Sequence, residues 1–465
     1  MSQPAPVFLT GSLTRHVVVM SLTSSIGLMA VFAVDFVDMV FIAMLGNDAL
    51  AAAVGYAATI LFFTNSVNIG LAIAAGSLSA RAIGAGQGEL AARHATNVAL
   101  IGVLTGVALP VAILASLPAI LSFLGADGVV ADLATRYLWI ILPSMPVMAV
   151  AMVAMAVLRA HGDARRSMAA TLYGGGLNAV LDPIFIFALG LGLDGAALAT
   201  VCARFAMLGA AMWPVLRRYK GFARPGWDGF RTGLASVAAL AVPAVLTNIA
   251  TPVGTAIVTR EVARFGTEAV AGMAVIGRLT PLAFAVVFAL SGAVGPIIGQ
   301  NFGAGRRDRV RGAFDAAILF TLAYVLVASA LLFLLRAPIA ALFNATGDAR
   351  TLIFLFCGPL ALASFFNGVI FVTNASFNNL GRPSWSTAIN WGRHTLGTWP
   401  FVLLGASLWG AAGALIGQAL GGVVFAALAW VLAVRLMRDP TPPVAPAPDP
   451  FTEQGRWHSL FNRHK

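Results

Sequence analysis

The sequence predicts an all-α membrane protein with about twelve transmembrane helices in two repeated six-helix halves. Three observations predict it. Of the 465 residues, 59% are hydrophobic and only 10% are charged, against about 25% charged in soluble domains. The apolar residues gather into runs of about 20 to 28, each long enough to cross a hydrocarbon core about 30 Å thick. Four sequence segments recur in the same order some 215 to 220 residues apart. In lipid the backbone satisfies its own hydrogen bonds, so these runs are helices, and the short alternating segments of a membrane β-barrel are absent.

The elements follow in order. After a lead-in at 1–16, helices are expected at 17–44, 50–76, 94–124, 134–158, 166–192 and 194–217, which form a first lobe over 17–217. A hydrophilic linker at 218–234 divides the chain. Helices at 235–262, 268–297, 312–342, 350–376, 384–408 and 410–437 form a second lobe over 235–437. The last segment, 438–465, begins with a Pro-rich stretch, DPTPPVAPAPDP, that no helix tolerates and reads as disordered. The N-terminal stretch MSQPAPVFLTGSLTRH has no small-residue cleavage site after a short apolar core, so it reads as a cytosolic lead-in, not a removable signal.

Alternate loops carry the basic residues: Arg81 and Arg93, then Arg159, Arg165 and Arg166, then Arg217, Arg218, Lys220, Arg224 and Arg231, then Arg306, Arg307, Arg309 and Arg311, then Arg382. The opposite loops carry only Arg136, Arg264, Arg336 and Arg350. This bias places both termini in the cytoplasm, with the chain in a bacterial inner membrane. It also accounts for the net charge of +11 as basic loops against an anionic leaflet, not a nucleic-acid footprint. The two cysteines, Cys202 and Cys357, lie in apolar runs as packing residues, and no His/Cys/Glu spacing suggests a metal or haem cofactor.

The repeats set the architecture. LGNDALAAAVG at 45–55 resembles FGTEAVAGMAV at 265–275, and AIGAGQGELAAR at 82–93 resembles NFGAGRRDRVRG at 301–312. LRAHGDARRS at 158–167 pairs with FNNLGRPSWS at 377–386, and LDGAALATV at 193–201 with LWGAAGALI at 408–416. Six helices separate the copies, so the halves share one orientation and are related by an axis along the membrane normal.

An ionisable side chain at bilayer depth costs at least about 2.5–3.5 kcal/mol, so the few present are candidate functional groups. The first helix, VFAVDFVDMVF, puts Asp35 and Asp38 on one face; the fifth, YGGGLNAVLDPIF, does the same with Asn178 and Asp182. Carboxylates this close in an apolar setting do not both ionise cheaply. Either a proton is held or a cation balances the charge, and both are chemistry for a coupling site. The alternative is pairing with Arg204, Arg260, Arg278 or Arg393, or capping of helix ends. Pro183 loosens the helix just past Asp182. The second half lacks such a pair: Thr255 and Val258 stand at the positions of Asp35 and Asp38, and Glu261 reads as an interfacial partner of Arg260 or Arg264. Asn367, Asn374, Arg278 and Arg393 are candidates for a substrate cavity; aromatic residues such as Phe62, Phe63, Phe284, Phe288, Phe365 and Phe366 could line a drug pocket, although lipid-facing or core packing is the commoner role for any one of them.

At FVDMVFIAMLGNDALAA, ARAIGAGQGELAAR, VLRAHGDARRSM, LNAVLDPIFIFALGLGLDGAALAT, VGPIIGQNFGAG and GAAGALIGQAL the chain resembles the multidrug and toxic compound extrusion (MATE) family, over roughly 15–437. The resemblance implies two six-helix lobes in a V around a central cavity, rocking between outward and inward states. It implies antiport of small cationic, often aromatic compounds against Na⁺ or H⁺ by a monomer. It makes Asp38 the essential carboxylate and Asn178, Asp182 and Thr200 its polar partners; Asp38, Asn178 and Asp182 would ligate the ion if it is Na⁺. Asp35 stands where the family often has Asn. A Pro common near Thr23 is missing, while Pro243 keeps its counterpart in the seventh helix. Thr251 and Asn367 stand near places where the NorM-like branch carries acids, which favours first-lobe coupling as in the DinF-like branch.

The rival reading is a flippase or exporter of a lipid-linked or anionic substrate in the same superfamily, for which the four arginines named above would serve. An enzyme is not indicated, since HExxH, GxSxG and P-loop motifs are absent.

Overall fold

The computed structural model describes residues 5–224 and 226–438; the expected tail at 438–465 lies outside them except for Arg438. Every regular element among the described residues is helical. The first lobe comprises α1 (Leu13–Met44), α2 (Asp48–Gly84), α3 (Gly88–Ala115), α4 (Leu117–Leu124), α5 (Gly128–Ile141), α6 (Met145–Ala160), α7 (Ala164–Pro183) and α8 (Gly192–Pro214). The second comprises α9 (Trp227–Ala263), α10 (Thr267–Ala283), α11 (Ala285–Gly303), α12 (Arg307–Leu342), α13 (Gly347–Leu355), α14 (Ser364–Asn379), α15 (Pro383–His394) and α16 (Trp399–Arg438).

Among the described residues, ten helical stretches are long and apolar enough to cross a membrane, and a bent pair, α13 with α14, makes an eleventh. One of the ten, Pro383–Arg438, has 56 residues, more than two bilayer crossings' worth of helix. It reverses at Trp409 (φ −137°, ψ 24°) and Gly410 (φ 61°, ψ −144°), a left-handed φ that glycine adopts without strain. The two arms lie backbone to backbone. A Cβ on Gly405 would strike the Gly413 carbonyl, one on Gly417 the Phe401 carbonyl, and one on Gly421 the Gly397 carbonyl. The pairs 405/413, 401/417 and 397/421 are all centred on 409, as in an antiparallel hairpin. Twelve crossings result.

Several expected single helices are broken. The stretch expected at 384–408 stops at His394 and resumes at Trp399, because Gly397 is pressed against Gly421. The fourth crossing breaks at Leu142–Ser144 beside Pro143 and Pro146, and the eighth at Phe284, three residues after Pro281. The tenth bends by 59°, with Gly358 out of helical geometry next to Pro359. Proline removes a backbone donor and crowds the preceding turn.

The lobes meet at the end that carries the basic loops, through α1 and α2 on one side and α9, α11 and α14 on the other. Here the repeat acts directly. A Cβ on Gly84 would strike the backbone of Gln300, and a Cβ on Gly303 that of Arg81. Gly84 with Gly303, and Arg81 with Gln300, are mates in the repeated GAG segments. The contact therefore obeys the internal two-fold. Ser77 Oγ donates to the Asn378 carbonyl at 3.0 Å, and Gln300 Nε2 to the Ala160 carbonyl at 2.7 Å. The N-terminal segment bridges the same junction. Phe8 is buried, its N–H donates to Gln300 Oε1 at 3.0 Å, and its carbonyl accepts from Arg309 Nη2 at 3.0 Å.

Candidate functional site

Two glycines bring the first-lobe acids together. In α7, a Cβ on Gly174 would strike Met207 of α8, and one on Gly175 would lie 3.1 Å from Val34 of α1. Small residues at these places let α1 and α8 close on α7. One and two turns further along α7 stand Asn178 and Asp182, both buried, with Asp182 0% exposed. Asn178 Nδ2 donates to Asp182 Oδ1 at 3.3 Å. The Asp38 carboxyl of α1 lies within hydrogen-bonding reach of the Asp182 carboxyl. Each acid keeps one buried oxygen, Asp38 Oδ1 and Asp182 Oδ2, with no hydrogen-bond partner. Directly after Asp182, Pro183 lacks the N–H that would satisfy the Ala179 carbonyl, and Ile184–Ala188 widen into a π-helical turn.

The alternative of pairing with arginine is absent among the described residues: no ion pair involves Asp35, Asp38 or Asp182. Arg204 instead donates to the Ile141 carbonyl at 3.1 Å and to Ser144 Oγ at 2.7 Å, closing the break between α5 and α6. Asp35 is exposed and makes no three-acid cluster with the pair among the described residues. The Thr200 hydroxyl donates to its own helix at Ala196 O, 3.1 Å away. Sequence reasoning missed Tyr137, a buried residue of α5 within electrostatic range of Asp38, Asp182 and Arg204. Its neighbours in sequence are ordinary, so only the packing reveals it. Glu261 is paired with Arg264 at 2.7 Å.

The second lobe contains a cavity of about 550 Å³ lined by Thr255, Thr259, Phe288, Asn367, Arg393 and Gln418 among others. Arg393 donates to Asn367 Oδ1 across it. Of the other cavity candidates, Asn374 is buried outside the lining and accepts from Asn390 Nδ2 at 3.2 Å. Arg278 lies on an exposed face of α10 outside the lining.

Comparison with known proteins agrees with this architecture. The MatE family profile matches residues 23–184 and 243–398, more than half of the chain. A FAD transporter of Shewanella oneidensis is 27% identical over 440 residues, 92% of this chain and 96% of its own. The multidrug export protein MepA of Staphylococcus aureus is 25% identical over 435 residues, 90% of this chain and 93% of its own. The crystal structure of the Vibrio cholerae MATE transporter VcmN in the bent form superimposes with a TM-score of 0.87 at 26% identity, covering 92% of this chain and 97% of that one. The chain belongs to the MATE family of multi-pass membrane transporters.

Proposed function

We propose that this transporter exports small aromatic molecules by exchange for H⁺ or Na⁺, and that Asp38 and Asp182 hold the entering cation. One observation carries the reading: two adjacent carboxylates, each with a buried and unpartnered oxygen and, among the described residues, no arginine paired with them. A buried polar atom without a partner is costly. One proton or one Na⁺ held by the Asp38 and Asp182 carboxyls would remove that cost, with Asn178 steadying Asp182. For Na⁺ the chemistry of the donors fits, since they are hard oxygens. Asp35 and Thr200 stand outside the pair and contribute at most secondary contacts.

The basic-loop end is taken as cytoplasmic, as the charge bias requires, in a bacterial inner membrane. The lobes are closed at that end, so the first-lobe site faces outward. Membrane potential draws the cation inward by about 2.3 kcal/mol per charge per 100 mV. Cation binding neutralises the pair, displaces the exported compound, and lets the emptied lobes open to the cytoplasm. The protein acts as a monomer. Family resemblance supports a cationic aromatic substrate, and MepA is named as a multidrug exporter. A second reading, an anionic substrate, is favoured by Arg393 standing in the second-lobe cavity with no acid beside it among the described residues, and a FAD transporter stands among the relatives.

The test is efflux from proteoliposomes driven by a Na⁺ gradient or a pH gradient separately. Asp38→Asn protein inserts normally and loses gradient-driven efflux. Full efflux by that variant would overturn the assignment.

A further inference from the structure

We propose that the second-lobe cavity is an anion subsite, in which Arg393 and Asn367 receive one carboxylate, sulfonate or phosphate group of an aromatic substrate. This rests on the exporter reading and names the substrate class for it.

The observation is one of charge. Among the described residues, Arg393 is the single charged one of the twenty that line the cavity, and no acid is among them. Among the described residues its side chain donates to Asn367 Oδ1 and makes no ion pair. A guanidinium carries five N–H donors in a planar fork suited to carboxylate and phosphate, so most of that fork remains available. The position is deep. Arg393 is ten residues along α15 from Pro383, and Asn367 twelve along α14 from Asn379. At a rise of about 1.5 Å per residue, both lie some 15–18 Å from the basic-loop end, near mid-bilayer. A cation at that depth is expensive to keep without a use.

The site is also built. Thr398 Oγ1 donates to the Arg393 carbonyl at 2.9 Å, which fixes the end of α15 where the helix breaks. Gly422 of α16 faces the guanidinium at the distance of ordinary van der Waals contact and leaves its edge uncovered. The C-terminus of α15 offers a partial negative charge of about half a unit, so the cavity stays net positive. Phe288, Phe356 and Met273 supply apolar wall, with Thr255, Thr259 and Gln418 at its polar edge. The volume of about 550 Å³ suits a drug-sized ligand. One arginine matches one anionic group; a lipid-linked pyrophosphate would call for several cations around the cavity.

The experiment uses the full chain in lipid nanodiscs and three probes on one ring: pyrenebutyrate, pyrenebutanol and pyrenebutylammonium. Binding is read by pyrene fluorescence, with empty discs subtracted. Wild-type protein should bind the carboxylate at least tenfold tighter than the alcohol, with the ammonium weakest. Arg393→Gln should remove that preference, and Arg393→Lys should keep part of it, since it retains the charge without the fork. If wild-type protein binds the alcohol or the ammonium as tightly as the carboxylate, the subsite is refuted without recourse to any variant. Unchanged preference in a folded Arg393→Gln protein refutes it as well. Asp38→Asn separates the two claims: it should keep the carboxylate preference while losing gradient-driven transport. A charge preference with no cation-gradient drive in wild type would sink the coupling reading alone, and gradient drive with no charge preference would sink the anion subsite alone.

Discussion

Replacing Gly303 by valine should force the basic-loop end of the transporter open. Its Cβ would sit inside the van der Waals radius of the Arg81 carbonyl, with backbone on both sides of the clash. Neither partner is a flexible side chain, so α2 and α11 must separate by at least about 1 Å to restore contact distance. Separation strains three hydrogen bonds across the junction: Phe8 N–H to Gln300 Oε1 at 3.0 Å, Gln300 Nε2 to Ala160 O at 2.7 Å, and Ser77 Oγ to Asn378 O at 3.0 Å. At about 1 kcal/mol each, their loss shifts the balance between closed and open basic ends by about 3 kcal/mol, and by about 2 kcal/mol, roughly thirtyfold in population, where Ser77 is itself replaced by a reporter cysteine. The assay is cysteine labelling. With Cys202 and Cys357 replaced, a single cysteine at Ser77, which is 3% exposed, is treated with a membrane-impermeant maleimide from the basic-loop side. The Gly303→Val protein should label at least tenfold faster than its parent, and Gly84→Val should match it because the contact is two-fold symmetric. Equal labelling rates in variant and parent would refute the claim that these glycines hold the lobes together.

Two other outcomes follow from local structure. His161, at the end of α6, stacks on Tyr219 at 4.5 Å, and burial lowers its pKa from 6.5 to about 4 despite the neighbouring Asp163. The fold therefore favours the neutral ring, and stability should fall as pH drops from 6.5 towards 4, by up to about 3 kcal/mol. His161→Phe should flatten the thermal-unfolding profile across that window, and an unchanged slope would contradict the assignment. Gly421→Leu should destabilise the closing hairpin by several kcal/mol, since the new side chain meets the Gly397 backbone; a melting temperature within 1 °C of the parent, about the shift from a few tenths of a kcal/mol, would argue against the packing described.

The acids and the repeats were legible because each rests on a strong physical rule. A carboxylate costs so much in lipid that Asp38 and Asp182 stand out in any apolar run, and the repeated GAG segments recur because only glycine permits the backbone contact between Gly84 and Gln300 and between Gly303 and Arg81. Hydrophobic length marked twelve crossings but not their interruptions. The breaks at Leu142–Ser144 and Thr395–Thr398 arise from prolines or close glycine packing, which a hydropathy reading smooths over. The site's surroundings were less legible. Tyr137 approaches the acid pair through tertiary packing, and Arg204 reads in sequence as a partner for the acids when it serves the α5–α6 break. The role of Phe8 as a plug between the lobes was hidden for a similar reason, since its partners Gln300 and Arg309 are some 290 to 300 residues away.

The most direct test of cation coupling is the number of cations bound per chain. Purified protein without substrate is titrated in two ways, by ²²Na⁺ binding and by proton release on alkalinisation. One of the two should report a single cation per chain in the parent, with that cation lost in both Asp38→Asn and Asp182→Asn. An undiminished stoichiometry in either folded variant would contradict the account.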